Sequence, residues 1–176
     1  MTAFYLVIGA SHRTCSGSLR DWLATEEAEV PDMLAHLKAT GFEQALWLST
    51  CDRVEVHAVH PRPLEAALDA AAVMAERLGV STDDLADQLY TYVGDRAVRH
   101  IFAVGCSLDS QIVGEPAILG QLKAAHRHAV AAGTTGPELE AIALGDAARG
   151  IDHGAMTTLR FRQKILGAAY RLKTRH

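Results

Sequence analysis

Three stretches of the chain alternate apolar and polar positions or run continuously apolar over strand length, and most of the rest repeats with a helical period. "AFYLVIGAS" reads as a strand ending at Gly9, and "ALWL" and "VEVHAV" read as two more that flank "STCD". In the last of these, Val54, Val56 and Ala58 alternate with Arg53, Glu55 and His57, which makes one face apolar and the other polar. "LYTYV" is a fourth strand or an extended segment. Short helical stretches fall around Leu19 to Leu23 and at "STDDL". Pro31 opens a helix with Met33, Leu34 and Leu37 inward and Gly41 at its C-terminal cap. Pro63 to Leu78 predicts an Ala-rich helix whose inner stripe is Leu64, Leu68, Ala71 and Leu78, closed by Gly79. Asp95 reads as the N-cap of a helix carrying Val98, Ile101 and Phe102. Gly114-Glu115-Pro116 starts a helix to Gly133 with Ile118, Leu122, Ala125 and Ala129 inward, and Pro137 opens one to about Gly150.

The pattern predicts an α/β (α+β) fold. A small, mostly antiparallel sheet carries Leu6, Leu48 and Val56 inward, with helices on one face. A helical second half packs across the segment around Cys51. The expected division is a domain over 1–156 and a basic amphipathic helix over 157–176.

With 49% hydrophobic and 22% charged residues over 176 positions, the chain is long enough for a core without staples. No run reaches the length of a membrane span, and "MTAFYLVIGAS" reads as a strand rather than a basic leader. Three cysteines, Cys15, Cys51 and Cys106, are an odd count without metal-ligand spacing, so the expectation is a reducing cytoplasm and no metal. His57 and His60, and His126 and His128, lack a zinc-type partner and are expected on the surface. The net charge of −4 is uneven: residues 157–176 hold six basic side chains and no acid. Along a helix there, Phe161, Ile165, Ala169 and Leu172 would line the side opposite Arg160, Lys164 and Arg171. The cations suggest a polyanion such as nucleic acid, and the apolar side suggests docking on the body or self-association with a partner chain.

Candidate chemistry gathers at two motifs. In "LWLSTCDRVEV" the cation of Arg53 lies two residues from Cys51, and a cation beside a thiol favours the thiolate that a nucleophile needs. In "HIFAVGCSLDSQIVGEPAILGQLK", Ser110, Glu115 and Gln121 surround the start of a helix, where backbone amides favour a negative group. Polar groups so placed suit a small, charged, hydrogen-bonding ligand.

Together, "LSTCDRVEV", "LDSQIVGEPAILGQLKAA" and, more loosely, "VIGASHRTCSGSLRDWL" resemble the N-terminal catalytic domain of the glutamyl-tRNA reductase family, over residues 4 to 150 or so. The resemblance implies an enzyme of tetrapyrrole (porphyrin) biosynthesis. Its cysteine attacks the ester of glutamyl-tRNA to form a thioester, which NADPH in a separate domain reduces to glutamate-1-semialdehyde. Residue by residue, it makes Cys51 the nucleophile and His100 a catalytic proton shuttle. It puts Thr50, Asp52, Arg53, Ser110, Glu115, Pro116 and Gln121 at substrate-binding positions, with Arg53 suited to a carboxylate and Glu115 to the α-ammonium. Arg160, Lys164 and Arg171 would take tRNA phosphates.

The match has departures. Asp52 stands where the family has asparagine, placing an acceptor-only carboxylate beside the thiol, and Ala117 stands where the family has glutamine. From Gly154 onward the chain leaves the family's pattern. No strand–Gly-rich turn–helix unit for a dinucleotide appears, so the expectation is no NADPH bound by this chain. The chain is expected to be a diverged stand-alone protein. Its thioester would be hydrolysed, passed to an amine, or reduced by another chain. The alternative is a non-catalytic module that recognises charged tRNA or a full-length reductase.

Overall fold

The computed structural model describes residues 3–111 and 117–143. Four strands, β1 (Phe4–Ser11), β2 (Gln44–Ser49), β3 (Arg53–His60) and β4 (Tyr90–Val93), form one sheet in the order β2-β3-β1-β4. Every pairing is antiparallel. The helices are α1 (Gly17–Leu23), α2 (Val30–Ala39), α3 (Pro63–Leu78), α4 (Thr82–Ala86), α5 (Asp95–Gly105), α6 (Ala117–Ala132) and α7 (Pro137–Ala143). The α+β fold expected from the sequence is the fold observed, and β1 runs two residues past Gly9.

Local chemistry accounts for the boundaries. Ser16 and Ser81 accept amide hydrogens at the starts of α1 and α4, and Pro31 and Pro63 sit in the first turns of α2 and α3. Gly79 closes α3 at φ 66°, a left-handed conformation that costs glycine nothing. Helix α5 is capped by Gly94, one residue earlier than the sequence pattern suggests, and Asp95 is already inside it.

Helices cover both faces of the sheet, not one. Successive strand residues point to opposite sides. Leu6 and Ile8 join the large core that holds the buried side of α3, whereas Val7 packs in a second cluster with Ala97 and Ile101 of α5 and Ile142 of α7. Leu48 is buried as expected, yet it pairs with Glu55 and so lies on the face opposite Val56. The inner stripe of α3 also differs. Leu64 and Leu68 are 71% and 67% exposed, and Ala66, Ala67, Ala70, Ala71, Val73, Met74 and Ala75 pack inward. Small side chains let this helix approach the sheet closely, so alanines displace the leucines from the interface. On α6, Ile118, Leu122, Ala125 and Ala129 are buried as the period predicts.

One position fixes the middle of the sheet. Gly9 pairs with Glu55 on one side and Tyr90 on the other, so the three share a face. A Cβ at Gly9 would sit 2.3 Å from the Val54 carbonyl oxygen and 2.8 Å from Glu55 Cγ. Glycine is required here for space. Gly9→Ala is therefore expected to cost about 2–3 kcal/mol by forced displacement in a packed sheet, read as a lowered denaturant midpoint.

Candidate active site

Cys51 sits at the tip of the β2–β3 hairpin and is exposed. The turn closes through Thr50 N–H donating to the Arg53 carbonyl at 2.8 Å. Neither Cys51 nor Asp52 has a positive φ, so the primed turns that usually close two-residue hairpins are not used. The Thr50 hydroxyl compensates by accepting from Asp52 N–H at 3.1 Å and Arg53 N–H at 3.2 Å. Buried Thr50 thus shapes the loop that presents the thiol.

Two other segments brace the turn. His12 N–H donates to the Asp52 carbonyl at 2.9 Å, tying in the end of β1. Gln111 donates its backbone N–H to Asp52 Oδ2 and its side-chain amide to Oδ1, both at 2.9 Å. The piece of the second half that packs across the Cys51 loop is therefore the segment after α5. That segment leaves the helix through Ser107, whose φ is 58°. Leu108 N–H donates to the Ala103 carbonyl and Ser107 N–H to the Val104 carbonyl, the bonding of a Schellman cap with serine in glycine's usual place. Its hydroxyl donates to buried Ser110 at 3.3 Å, so the strained residue also fixes the serine singled out by the motif.

The polar face of β3 is buried: Arg53 and Glu55 have no exposed surface, and His57 is 2% exposed, against its expected place on the surface. Glu55 is the hub. Arg53 Nη1 donates to it at 3.1 Å, His57 Nε2 lies at 2.5 Å and His100 Nε2 at 2.7 Å, and the Tyr90 hydroxyl donates as well. Burial alone would push the Glu55 carboxyl up, but the hydrogen bonds and charges of His100 and His57 outweigh it and hold it well below the usual carboxylate range. Ionised Glu55 has only lone pairs to offer, so both imidazoles must turn an N–H toward it. Burial and then the Glu55 charge push the Tyr90 phenol up, which keeps it a donor. For Arg53, burial lowers the guanidinium pKa, and the Glu55 charge and the bonds to Asp109 and Glu55 more than restore it.

Arg53 consequently occupies a different place from the one its motif position suggests. Its guanidinium is turned into the protein, donating to Glu55, to Asp109 Oδ2 at 3.0 Å and to the Asp109 carbonyl. Arg13 pairs with the other Asp109 oxygen at 2.7 Å. Arg53 thus joins the hairpin to the segment over it, a positioning role rather than an open seat for a substrate carboxylate. His100 reaches the turn through Glu55 and Arg53.

The remaining expected site residues are spread out. Asp52 is buried, and its Oδ1 lies 3.9 Å from Cys51 Sγ. Gln121 lines a separate cleft of about 160 Å³ with Ser49, Thr25, Trp47 and His128 beside strand β2. Glu115, Pro116, Arg160, Lys164 and Arg171 lie outside the described residues, as does the helix expected over 157–176. The motifs do not single out Arg13, Glu55, Tyr90, Asp109 or Gln111. Among the described residues no His, Cys, Asp or Glu group is arranged for a metal ion, and no helix is long and apolar enough to cross a membrane. Every pairing among the described strands is antiparallel, so they form no parallel strand–helix–strand frame of the doubly wound kind.

Known proteins resemble this chain in sequence and in fold. Residues 8–147 match the family described as glutamyl-tRNAGlu reductase, N-terminal domain. The glutamyl-tRNA reductase of Rhodospirillum rubrum is 42% identical over 143 residues, covering 78% of this chain and 32% of the relative. That of Salinispora arenicola is 44% identical over 132 residues, covering 74% and 29%. The chain spans about a third of the length of these curated relatives. A solved structure of glutamyl-tRNA reductase from Methanopyrus kandleri shares the fold at a TM-score of 0.63 and 24% identity, covering 93% of this chain and 34% of that one.

The depressed Glu55 carboxyl gives a pH dependence of known sign. The unfolded chain binds the Glu55 proton at higher pH than the folded chain does, so stability rises with pH across the interval between the two values. The contribution is complete above the ordinary carboxylate range and is lost as pH falls below it. Glu55→Gln should cost about 3 kcal/mol or more at neutral pH by leaving buried Arg53 short of a partner. The variant should also show a shallower fall in denaturant midpoint from about pH 6 to about pH 3.

Proposed function

The chain belongs to the glutamyl-tRNA reductase family, whose N-terminal domain it carries, and on that premise we propose that Cys51 accepts the glutamyl group of glutamyl-tRNA. The observation that carries this reading is the exposed thiol at the tip of a turn clamped by segments 11–15 and 107–111. A packing cysteine would need no such bracing. The other two thiols are set differently: Cys106 is 1% exposed, and burial pushes the Cys15 thiol up despite the Arg20 charge.

In the proposed step the Cys51 sulfur attacks the ester carbonyl, the C–O bond to the ribose breaks, and the thiol proton ends on the released ribose hydroxyl. A glutamyl thioester and free tRNA result. His100 suits the proton transfer because its bond to Glu55 fixes the ring with Nε2 toward the carboxylate. Ser110, Glu115, Pro116 and Gln121 remain proposed contacts of the amino acid. Arg160, Lys164 and Arg171 remain proposed phosphate contacts, in a reducing cytoplasm. When bound, NADPH would supply hydride for reduction to the semialdehyde. The thioester is open to water, to an amine, or to a reductase domain on another chain, and the route leads to tetrapyrrole synthesis.

One observation favours a binding module instead. A carboxylate 3.9 Å from Cys51 Sγ repels a thiolate. Intact-mass analysis after incubation with glutamyl-tRNA separates the two readings. A gain of one glutamyl group, lost in Cys51→Ser and kept in Cys15→Ser, supports the acyl transfer, and RNA binding without acylation supports the module. Asp52→Asn should speed Cys51 alkylation roughly fivefold, the effect of about 1 kcal/mol of charge interaction at that separation. Alanine at Arg160, Lys164 and Arg171 should weaken tRNA binding and flatten its salt dependence.

A further inference from the structure

The face of the sheet that holds Glu55 continues outward to a second cluster. Tyr90 and Tyr92 of β4 stack with ring centres 5.1 Å apart and 22° between planes. His100 leans against both, at 5.4 Å and 4.9 Å. The Arg96 guanidinium, one turn earlier on α5, lies 4.3 Å from the centre of the Tyr92 ring. Tyr90 is anchored inward by its hydroxyl on Glu55, while Arg96 and its neighbour Arg99 are exposed. A row of planar groups thus leads from the buried carboxylate to a guanidinium at the surface.

For stability alone this arrangement is overbuilt at its outer end. An exposed cation over a ring contributes about 0.5–1 kcal/mol, and Arg99 adds a second cation on the same helix without an ion pair among the described residues. The two cations stand out because the first 156 residues carry 11 basic side chains against 21 acidic ones. A flat, positively charged group held rigid by an aromatic ring is a stacking platform for a nucleobase, and a second cation on the same helix suits its phosphate.

We propose that Tyr92, Arg96 and Arg99 seat the unpaired 3′-terminal nucleotides of the aminoacylated RNA, with a terminal base on the Arg96–Tyr92 pair and the adjoining phosphate at Arg99. The proposal rests on the acyl-transfer reading for the identity of the RNA. It adds a site for the strand that bears the ester, on the helix that carries His100. The seat reads unpaired bases by their faces, so it tolerates sequence but demands a single strand.

The test uses the full chain and an RNA acceptor-stem hairpin, with and without a single-stranded CCA end, titrated at fixed salt. Removing the CCA end should weaken binding to the unmodified protein roughly tenfold, the effect of one stacked base. In Arg96→Ala the same removal should change little, because the platform is gone. Arg96→Lys keeps the charge and should match Arg96→Ala in this difference while binding the blunt hairpin as the unmodified protein does, which separates stacking from charge. Thermal unfolding of each variant checks that the fold is kept. Equal losses on both RNAs would overturn the proposal, as would an unchanged CCA difference in Arg96→Ala or no hairpin binding by the unmodified protein. A basic face that meets an acidic protein would give the last of these results. Affinity alone is read here, so a protein that seats the CCA end without acylating Cys51 would keep this site and lose the acyl transfer. One that acylates Cys51 but is indifferent to Arg96 would do the reverse.

Discussion

A carboxylate sealed from water must be surrounded by donors, and Glu55 dictates much of the architecture by that requirement. It draws Arg53 from its own strand, His57 from two residues further on, Tyr90 from the edge strand and His100 from a helix. Each of these groups then fixes something else. Arg53 pins Asp109 and with it the segment over the turn, and His100 is held in one ring orientation. Gly9 belongs to the same requirement, because any side chain there would stand between Glu55 and Tyr90. Such a network is weak support for stability as a whole, since burying charge offsets what pairing returns. It is strong support for a single arrangement of the parts it connects.

The thiol profits from that arrangement without being part of it. Cys51 is exposed on a turn whose backbone groups are bonded by Thr50 and His12 and whose Asp52 carboxylate is held by Gln111. The side chains around it are therefore committed elsewhere. Asp52 accepts from Gln111 and Arg53 faces inward, which separates the groups that hold the turn from those that would meet a substrate.

Much of this was legible in the chain, and the exceptions share a cause. Strands, helix starts at proline and serine, and the α6 stripe follow from period and capping, which are local. The reversal on α3 is not local. A leucine stripe and an alanine stripe run along the same helix, and only the closeness of the sheet decides which faces in. The burial of Arg53, Glu55 and His57 is likewise set by what lies beyond the strand. A polar alternation reads as a solvated face until β3 is known to be an inner strand with α5 above it. Glu55 still had a visible signal, because acid, base and imidazole alternating on a strand between apolar runs are mutually satisfying if buried. Asp109 and Gln111 lie inside the second motif, but their roles were not legible there, because they depend on the Ser107 cap turning the chain back over the hairpin.

The strand order carries a consequence for how the molecule is made. β2 and β3 are neighbours in the chain and meet across a short turn, so that hairpin can close in microseconds by local search. β1 emerges first yet sits in the interior of the sheet, and it has no partner until β3 and later β4 exist to flank it. The loop bearing the thiol thus joins neighbours in the chain, whereas its braces from His12 and Gln111 come from residues far away in sequence. The reactive tip therefore rests on a contact between neighbours in the chain, and its surroundings on the closure of distant ends.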